Sequence, residues 1–158
     1  MSSVRTNLRS ALKSCILEMT AAAGYNYTYR MVYDPVLNME KMVEYPSVNI
    51  LYGRETRQGT RYMGNDPLLD ILLPVQFDVF IHDINDQSLA QDKVFADFQK
   101  YFGLNYYIKP AAGSRTAFNC LWLANTPWGT EVEKPNAGGS VEFEVFYSIR
   151  LNDPNLMV

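Results

Sequence analysis

Few residues in this chain have the type and spacing to carry out chemistry. His82 is the only histidine among 158 residues, so a serine or cysteine nucleophile would have one candidate imidazole base. Asp78 and Asp83 stand near it. On a strand ending at His82, Asp83 points to the opposite face and Asp78 shares the face several residues away, which describes a surface histidine beside acidic groups. The carboxylate pairs Glu131 with Glu133 and Glu142 with Glu144 fall on loop and strand positions, where a solvated polar face accounts for them. Cys15 and Cys120 lack the close spacing of zinc or redox motifs and read as buried free thiols. There is no Walker-type phosphate loop, dinucleotide fingerprint or EF-hand carboxylate cluster. The expectation is a protein without a catalytic, cofactor or metal site.

The elements that would position these residues follow from apolar periodicity. Val4, Leu8, Ala11, Leu12, Cys15, Ile16 and Met19 recur at spacings of three and four, one stripe of an amphipathic helix that stops at Gly24. Its other face carries Arg5, Arg9, Lys13 and Glu18, read as solvated, with an inter-subunit contact as the alternative. Tyr27 to Tyr33 reads as a strand ended by Asp34-Pro35, and Val43 to Tyr52 as a second. Pro46 confines that second strand to an edge or delays its pairing until Val48. Val75, Phe77, Val79 and Ile81 alternate with Gln76, Asp78, Phe80 and His82, the pattern of a strand with one face on the core. Ser88 followed by Gln91 reads as a capping box for a helix that buries Val94, Phe95, Phe98 and Phe102 and stops at Gly103. Ala117 to Leu123 and Val141 to Leu151 predict two adjacent antiparallel strands. The order of elements predicts one α+β domain over residues 1–158, a mostly antiparallel sheet flanked by two main helices.

Two long connections remain. Gly53 to Pro67 holds three glycines and the basic set Arg54, Arg57 and Arg61, and predicts a flexible loop. Asn125 to Ser140 is too long for a tight hairpin turn and predicts a projecting loop. Trp128 stands on it between Pro127 and Gly129, and calls for cover from a partner or, alternatively, from the domain's own core. The second loop and the strand after it are acidic through Glu131, Glu133, Glu142 and Glu144, despite Lys134. Basic and acidic patches of this kind could meet between neighbouring copies, because a cyclic oligomer joins two different patches.

Composition narrows the classes further. At 47% hydrophobic and 20% charged residues the chain lies in the globular range. A net charge of −3 gives no general attraction to nucleic-acid phosphates or an anionic membrane. No stretch reaches the roughly 18 apolar residues of a membrane span, which points to a chain made and kept in a cytoplasm. Eleven tyrosines suit a surface that touches other proteins.

The layout resembles the tail terminator, or tail completion, proteins of long-tailed bacteriophages. The features that carry the resemblance are the opening helix ending at Gly24, the Tyr45-Pro46-Ser47-Val48-Asn49-Ile50 approach to a strand followed by Gly53-Arg54-Glu55, the central strand Val75 to Ile81, the second helix, and the final strand Val141 to Leu151 closing on Asp153-Pro154. The resemblance implies a structural virion protein of the tail or neck that forms a hexameric ring, caps the tail tube and presents a surface to the head connector. Implied partners are copies of itself, the tail tube protein, a sheath protein if the tail is contractile, and a head-completion or connector protein. No membrane, cofactor or specific nucleic-acid site is implied, although DNA would pass through the ring. The two long loops would match its contact loops; the family has no fixed interface motif and no residue is carried over from it, so Arg54, Arg57, Arg61, Trp128, Glu131 and Glu133 stand as contact candidates on the charge and exposure of those loops alone. A head-completion or adaptor protein is the alternative within that class. From other classes, a ligand-binding module with a pocket lined by Tyr27, Tyr29 or Tyr107 and an enzyme using carboxylates alone remain.

Overall fold

In the computed structural model, which describes residues 4–35, 41–42, 44–82, 86–104, 107–108, 118–128, 136–151 and 153–157, helix α1 spans Val4–Glu18. Its stripe is the one the spacing predicts: Val4, Leu8, Ala11, Leu12, Cys15, Ile16 and, just beyond the helix, Met19 are all buried. The helix ends before Gly24. A 3-10 turn, Ala21–Ala23, follows, with the Thr20 side chain accepting from the Ala23 amide, and the chain departs at Gly24 in the left-handed region.

The strands are β1 (Met31–Tyr33), β2 (Ser47–Tyr52), β3 (Thr56–Met63), β4 (Asp66–His82), β5 (Tyr107–Ile108), β6 (Phe118–Pro127), β7 (Asn136–Arg150) and β8 (Asp153–Met157). Helix α2 (Gln87–Leu104) lies between β4 and β5. All eight strands join one sheet in the order β1-β2-β4-β7-β6-β5, with β3 on β4 and β8 on β7. Only β1 and β2 run parallel, so the fold is α+β with a mostly antiparallel sheet, as the order of elements predicts.

Alternation decides which face is covered. β4 sends Ile71, Leu73, Val75, Phe77, Val79 and Ile81 to one side, all buried, and β7 sends Val141, Phe143, Val145 and Tyr147 to the same side. Both helices pack there. The Phe77 ring lies 5.5 Å from Phe98, 5.7 Å from Phe102 and 5.3 Å from Phe143, in the range where tilted aromatic pairs add to area burial. On the far side of the sheet no helix covers the middle of β4 and β7 among the described residues.

Several sequence expectations are corrected. The strand expected over Tyr27 to Tyr33 shrinks to β1, because the chain before it bonds to helix α2 instead. The buried Asp97 carboxylate accepts from the amides of Asn26 (2.8 Å) and Tyr27 (3.1 Å) and from the Tyr29 hydroxyl (3.2 Å). Tyr29 is therefore core, fully buried against Phe98 at 5.6 Å, and lines no pocket; Tyr107 stands on β5 opposite Asn119. β2 is internal, between β1 and β4, and starts at Ser47, directly after Pro46. Helix α2 is capped by Asp86, which accepts from the Leu89 amide at 2.9 Å, and not by Ser88. Gln91 is buried, and its side-chain amide donates to the carbonyls of Trp128 (2.9 Å) and Gly138 (2.8 Å).

Strand takes up most of the first expected loop and both ends of the second, whose residues 129–135 lie outside the described residues. Gly53 to Pro67 contains β3, which forms a hairpin with the start of β4 through Gly64-Asn65. Gly64 has φ +64° and no other described residue of that turn has positive φ, which is the pattern of a type II′ turn with glycine at the first central position. Asn125 to Ser140 is shortened from both ends by β6 and β7, which pair from Asn119↔Phe146 to Pro127↔Gly139. Gly138 and Gly139 are strand residues where other chain parts come close: a Cβ at 138 would lie 2.6 Å from the Trp128 ring, and one at 139 would meet the Phe95 ring.

Cys15 and Cys120 are buried free thiols, and burial pushes the Cys15 thiol up to about 11 and raises that of Cys120 as well. Thiolate, the reactive form, is therefore scarce at neutral pH. Ellman's reagent at pH 8 is expected to leave both thiols unreacted in the native protein over minutes and to titrate two per chain in denaturant; prompt reaction of either native thiol contradicts this packing.

Candidate interaction surface

The residues weighed for chemistry do not converge. His82 is exposed, its ring 5.7 Å from that of Tyr45. Asp78 is engaged on the helix-free face, accepting from the Gln76 amide at 2.6 Å and the Ser140 hydroxyl at 2.7 Å. Among the described residues no group of three or more His, Cys, Asp or Glu is placed to hold a metal ion. Glu131 and Glu133 lie outside the described residues.

Trp128 is covered by its own chain. Its ring sits 4.8 Å from that of Phe80, its indole N–H donates to Ser140 Oγ at 3.0 Å, and its amide donates to the Gly138 carbonyl at 3.1 Å. The expectation of a tryptophan on a projecting tip is replaced by one that closes the end of the helix-free face, over the surface that Gly138 leaves open.

The three expected contact arginines separate. β3 packs on β4 and makes no more than isolated contacts with any other element, and six of its eight residues are exposed, so β3 is an exposed arm along one edge of the sheet. Arg61 is spent on the sheet beside it: its guanidinium donates to Asp70 Oδ1 of β4 at 3.1 Å and to Ser148 Oγ of β7 at 3.0 Å, and Ser148 in turn donates to Asp70. Arg57 donates to the Thr60 hydroxyl and has no acidic partner among the described residues. At the tip, Tyr62 is 73% exposed and Met63 55%. An aromatic and a thioether left in water side by side are the surface types that interfaces favour.

Arg54 lies at the root of the arm, in the Gly53-Arg54-Glu55 crossing from β2 to β3. It borders a cleft of about 400 Å³ with Arg5 and Arg9 of α1, over a floor of Leu8, Tyr52 and Leu73. Arg5 is neutralised by a two-point bond to Glu55, with Nε to Oε1 at 2.9 Å and the second nitrogen to Oε2, and Tyr147 also donates to Oε1 at 2.6 Å. Arg9 is held loosely, 3.8 Å from Asp34 and 4.7 Å above the Tyr52 ring, a cation–π distance. Arg54 makes no ion pair among the described residues. From the sequence, Arg5 and Arg9 belong to a helix face read as solvated, with an inter-subunit contact as the alternative. Their separation by four residues, one turn of helix, was the available signal, but nothing in the sequence brings the Gly53 crossing beside that turn.

The helix-free face holds the acidic counterpart. Glu142 and Glu144 are half-buried, point to the same side of β7 and stand opposite Gln76 and Pro74. Neither has a hydrogen-bond or ion-pair partner among the described residues. Leu121, opposite Glu144 on β6, and Leu123, beside a hollow shared with Leu51 and Glu142, are 42% and 43% exposed. Unpaired carboxylates in a partly apolar surround are more costly than on an open surface, so this patch gains from a cationic cover.

The Arg5–Glu55 bond also carries a pH signature. Burial alone would raise the Glu55 carboxyl, but the hydrogen bonds from Arg5 and Tyr147 and the charge of Arg5 outweigh it and hold the group below its ordinary 4.5. A depressed carboxyl stabilises the fold above its ordinary value and loses that contribution as pH falls through its folded value. In urea titrations, the stability difference between wild type and Glu55→Gln is expected to stay constant above about pH 5, at no more than ~1 kcal/mol for so exposed a pair, and to narrow at lower pH. A difference that widens on acidification would reverse the assignment. In comparison with known proteins, no family model matches the chain, and no curated protein matches it.

Proposed function

We propose that this chain is a structural virion protein of a long-tailed bacteriophage that assembles head-to-tail into a ring, ending the tail tube and joining it to the head. The observation that carries the reading is strand β3, an edge strand exposed along most of its length, with Tyr62 and Met63 exposed where it turns into β4, on a chain whose core is already closed by the two helices. β3 adds little to that core, so its exposed end is read as a contact with a neighbour. The α+β layout supports the same reading, since it is the layout the tail-terminator resemblance implies. Its partners are then other copies of the chain, six in a ring by that resemblance, together with the tail tube protein, the head connector and, in a contractile tail, the sheath.

The test is the mass of the purified protein by light scattering across a concentration series, with negative-stain images of the same samples. Wild type is expected to give a six-fold mass and annular particles. The double variant Tyr62→Ser, Met63→Ser is expected to keep its stability within about 0.5 kcal/mol, as for surface changes in general, and to shift toward monomer. A wild type that is monomeric at every concentration and does not bind purified tail tubes would overturn the reading.

A further inference from the structure

A ring needs two different patches that fit each other, and the two surfaces with unsatisfied charge in this chain have that relation. The cleft bordered by Arg5, Arg9 and Arg54 opens beside α1, on the helix side of the sheet, with Leu8, Tyr52 and Leu73 beneath it. Glu142 and Glu144 stand on the opposite, helix-free face. One chain cannot bring its own glutamates around the sheet to its own cleft, so whatever joins them joins two chains. The match extends beyond sign. Arg5 is already neutralised by Glu55, which leaves Arg9, loosely held by Asp34, and Arg54, without an ion pair among the described residues, as two available cations. On the other side are two available anions, separated by about 7 Å as alternate residues of a strand. Both patches set their charges in apolar surroundings, Leu8 and Leu73 on one side, Leu121 and Leu123 on the other, where guanidinium–carboxylate bonds are stronger than in open water.

We infer that the Arg5, Arg9 and Arg54 cleft is a receptor for carboxylate side chains, and that its occupant is the Glu142 and Glu144 pair of a second copy of this chain. This rests on the ring reading and names the contact within it. It moves the basic half of the interface from Arg57 and Arg61 to Arg9 and Arg54, because Arg61 is spent on Asp70 and Ser148 of its own sheet and the cleft gathers cations that lie far apart in sequence.

The experiment is a charge exchange read by sedimentation equilibrium. Arg54→Glu alone, and Glu142→Arg with Glu144→Arg, are each expected to weaken self-association by at least about tenfold, in line with the cost of opposing like charges across an interface. Combining the three substitutions is expected to recover most of the loss, while Lys13→Glu, with the same charge change as Arg54→Glu and no place in the cleft, leaves association near the wild-type value. Circular dichroism on every variant separates loss of contact from loss of fold. Rings that form equally well with Arg54→Glu, or a combined variant no better than either parent, overturn the contact while leaving the ring reading intact. A wild type that never self-associates, either alone or on purified tail tubes, overturns the ring reading and this occupant together. The receptor is then read on the monomer by titrating oligoglutamate against its arginine Nε–H signals: saturable shifts of Arg9 and Arg54 that Lys13→Glu keeps and Arg54→Glu loses support it, and signals that do not move overturn it.

Discussion

The ladder between β4 and β7 runs without a break from Leu68↔Arg150 to His82↔Asn136, about 50 Å of paired strand at the usual rise per residue, and the other elements take their places from it. Its register sets which side chains meet the helices. A slip of one residue would exchange Val75, Phe77 and Val79 for Gln76, Asp78 and Phe80 beneath α2, removing the ring contacts that Phe77 makes with Phe98, Phe102 and Phe143. The polar residues on the far face resist the same slip, since Asp78, Ser140, Gln76 and Trp128 form one bonded group there and would each lose a partner if buried under the helices.

The other edge of β4 is shared between two partners, and this division creates the arm and the cleft. β2 takes Val75 to Phe80 and β3 takes Asp66 to Leu72. Pro74 lies at the join. In an antiparallel strand a residue's N–H and C=O point to the same neighbour, and the Pro74 carbonyl accepts from the Gly53 amide at 2.8 Å. Its missing N–H therefore falls in the gap where the chain crosses from β2 to β3, and the ladder to β7 loses no bond to it. The crossing also explains Gly53, whose absent Cβ would lie 2.9 Å from that of Pro74. Pinned there, the chain delivers Arg54 and Glu55 beside the first two turns of α1, where Arg5 and Arg9 already stand. Strand pairing, helix periodicity and one proline thus assemble the arginine-lined cleft.

What could be read from the sequence was what burial imprints on it. The stripe of α1 is complete, and the alternation in β4 and β7 is clear because one face of each is packed and the other is not. β3 carries no such imprint. It is exposed on both faces, so Thr56-Arg57-Gln58-Gly59-Thr60-Arg61 has the composition of a loop although its backbone is paired. Gly138 and Gly139 misled for a related reason: their cause is the approach of Trp128 and Phe95 from distant parts of the chain, which no local rule registers. Gln91 fitted a capping box locally and was claimed instead by two carbonyls far away in sequence. The individual residues of the candidate surface were visible, Arg54 among them, but its membership was not, since Arg5, Arg9 and Arg54 are brought together by the sheet and not by spacing.

Two exposed sheet edges constrain how such a chain can associate. β3 on one side and the Leu121 to Pro127 stretch of β6 on the other have no further strand beside them among the described residues, and long free edges invite open-ended pairing. Each is interrupted by a register shift, between Arg57 and Gly59 in β3 and between Trp122 and Ala124 in β6, and such bulges bend an edge and leave a residue unpaired. Continuous backbone pairing between copies is thereby made poor at both edges. In the ring proposed above, association would then run through side chains of fixed position, such as the charged and apolar groups around Arg54 and around Glu142. Contacts of that sort fix one angle between neighbours, and a fixed angle is what allows a head-to-tail interface to close into a ring instead of extending into a fibre.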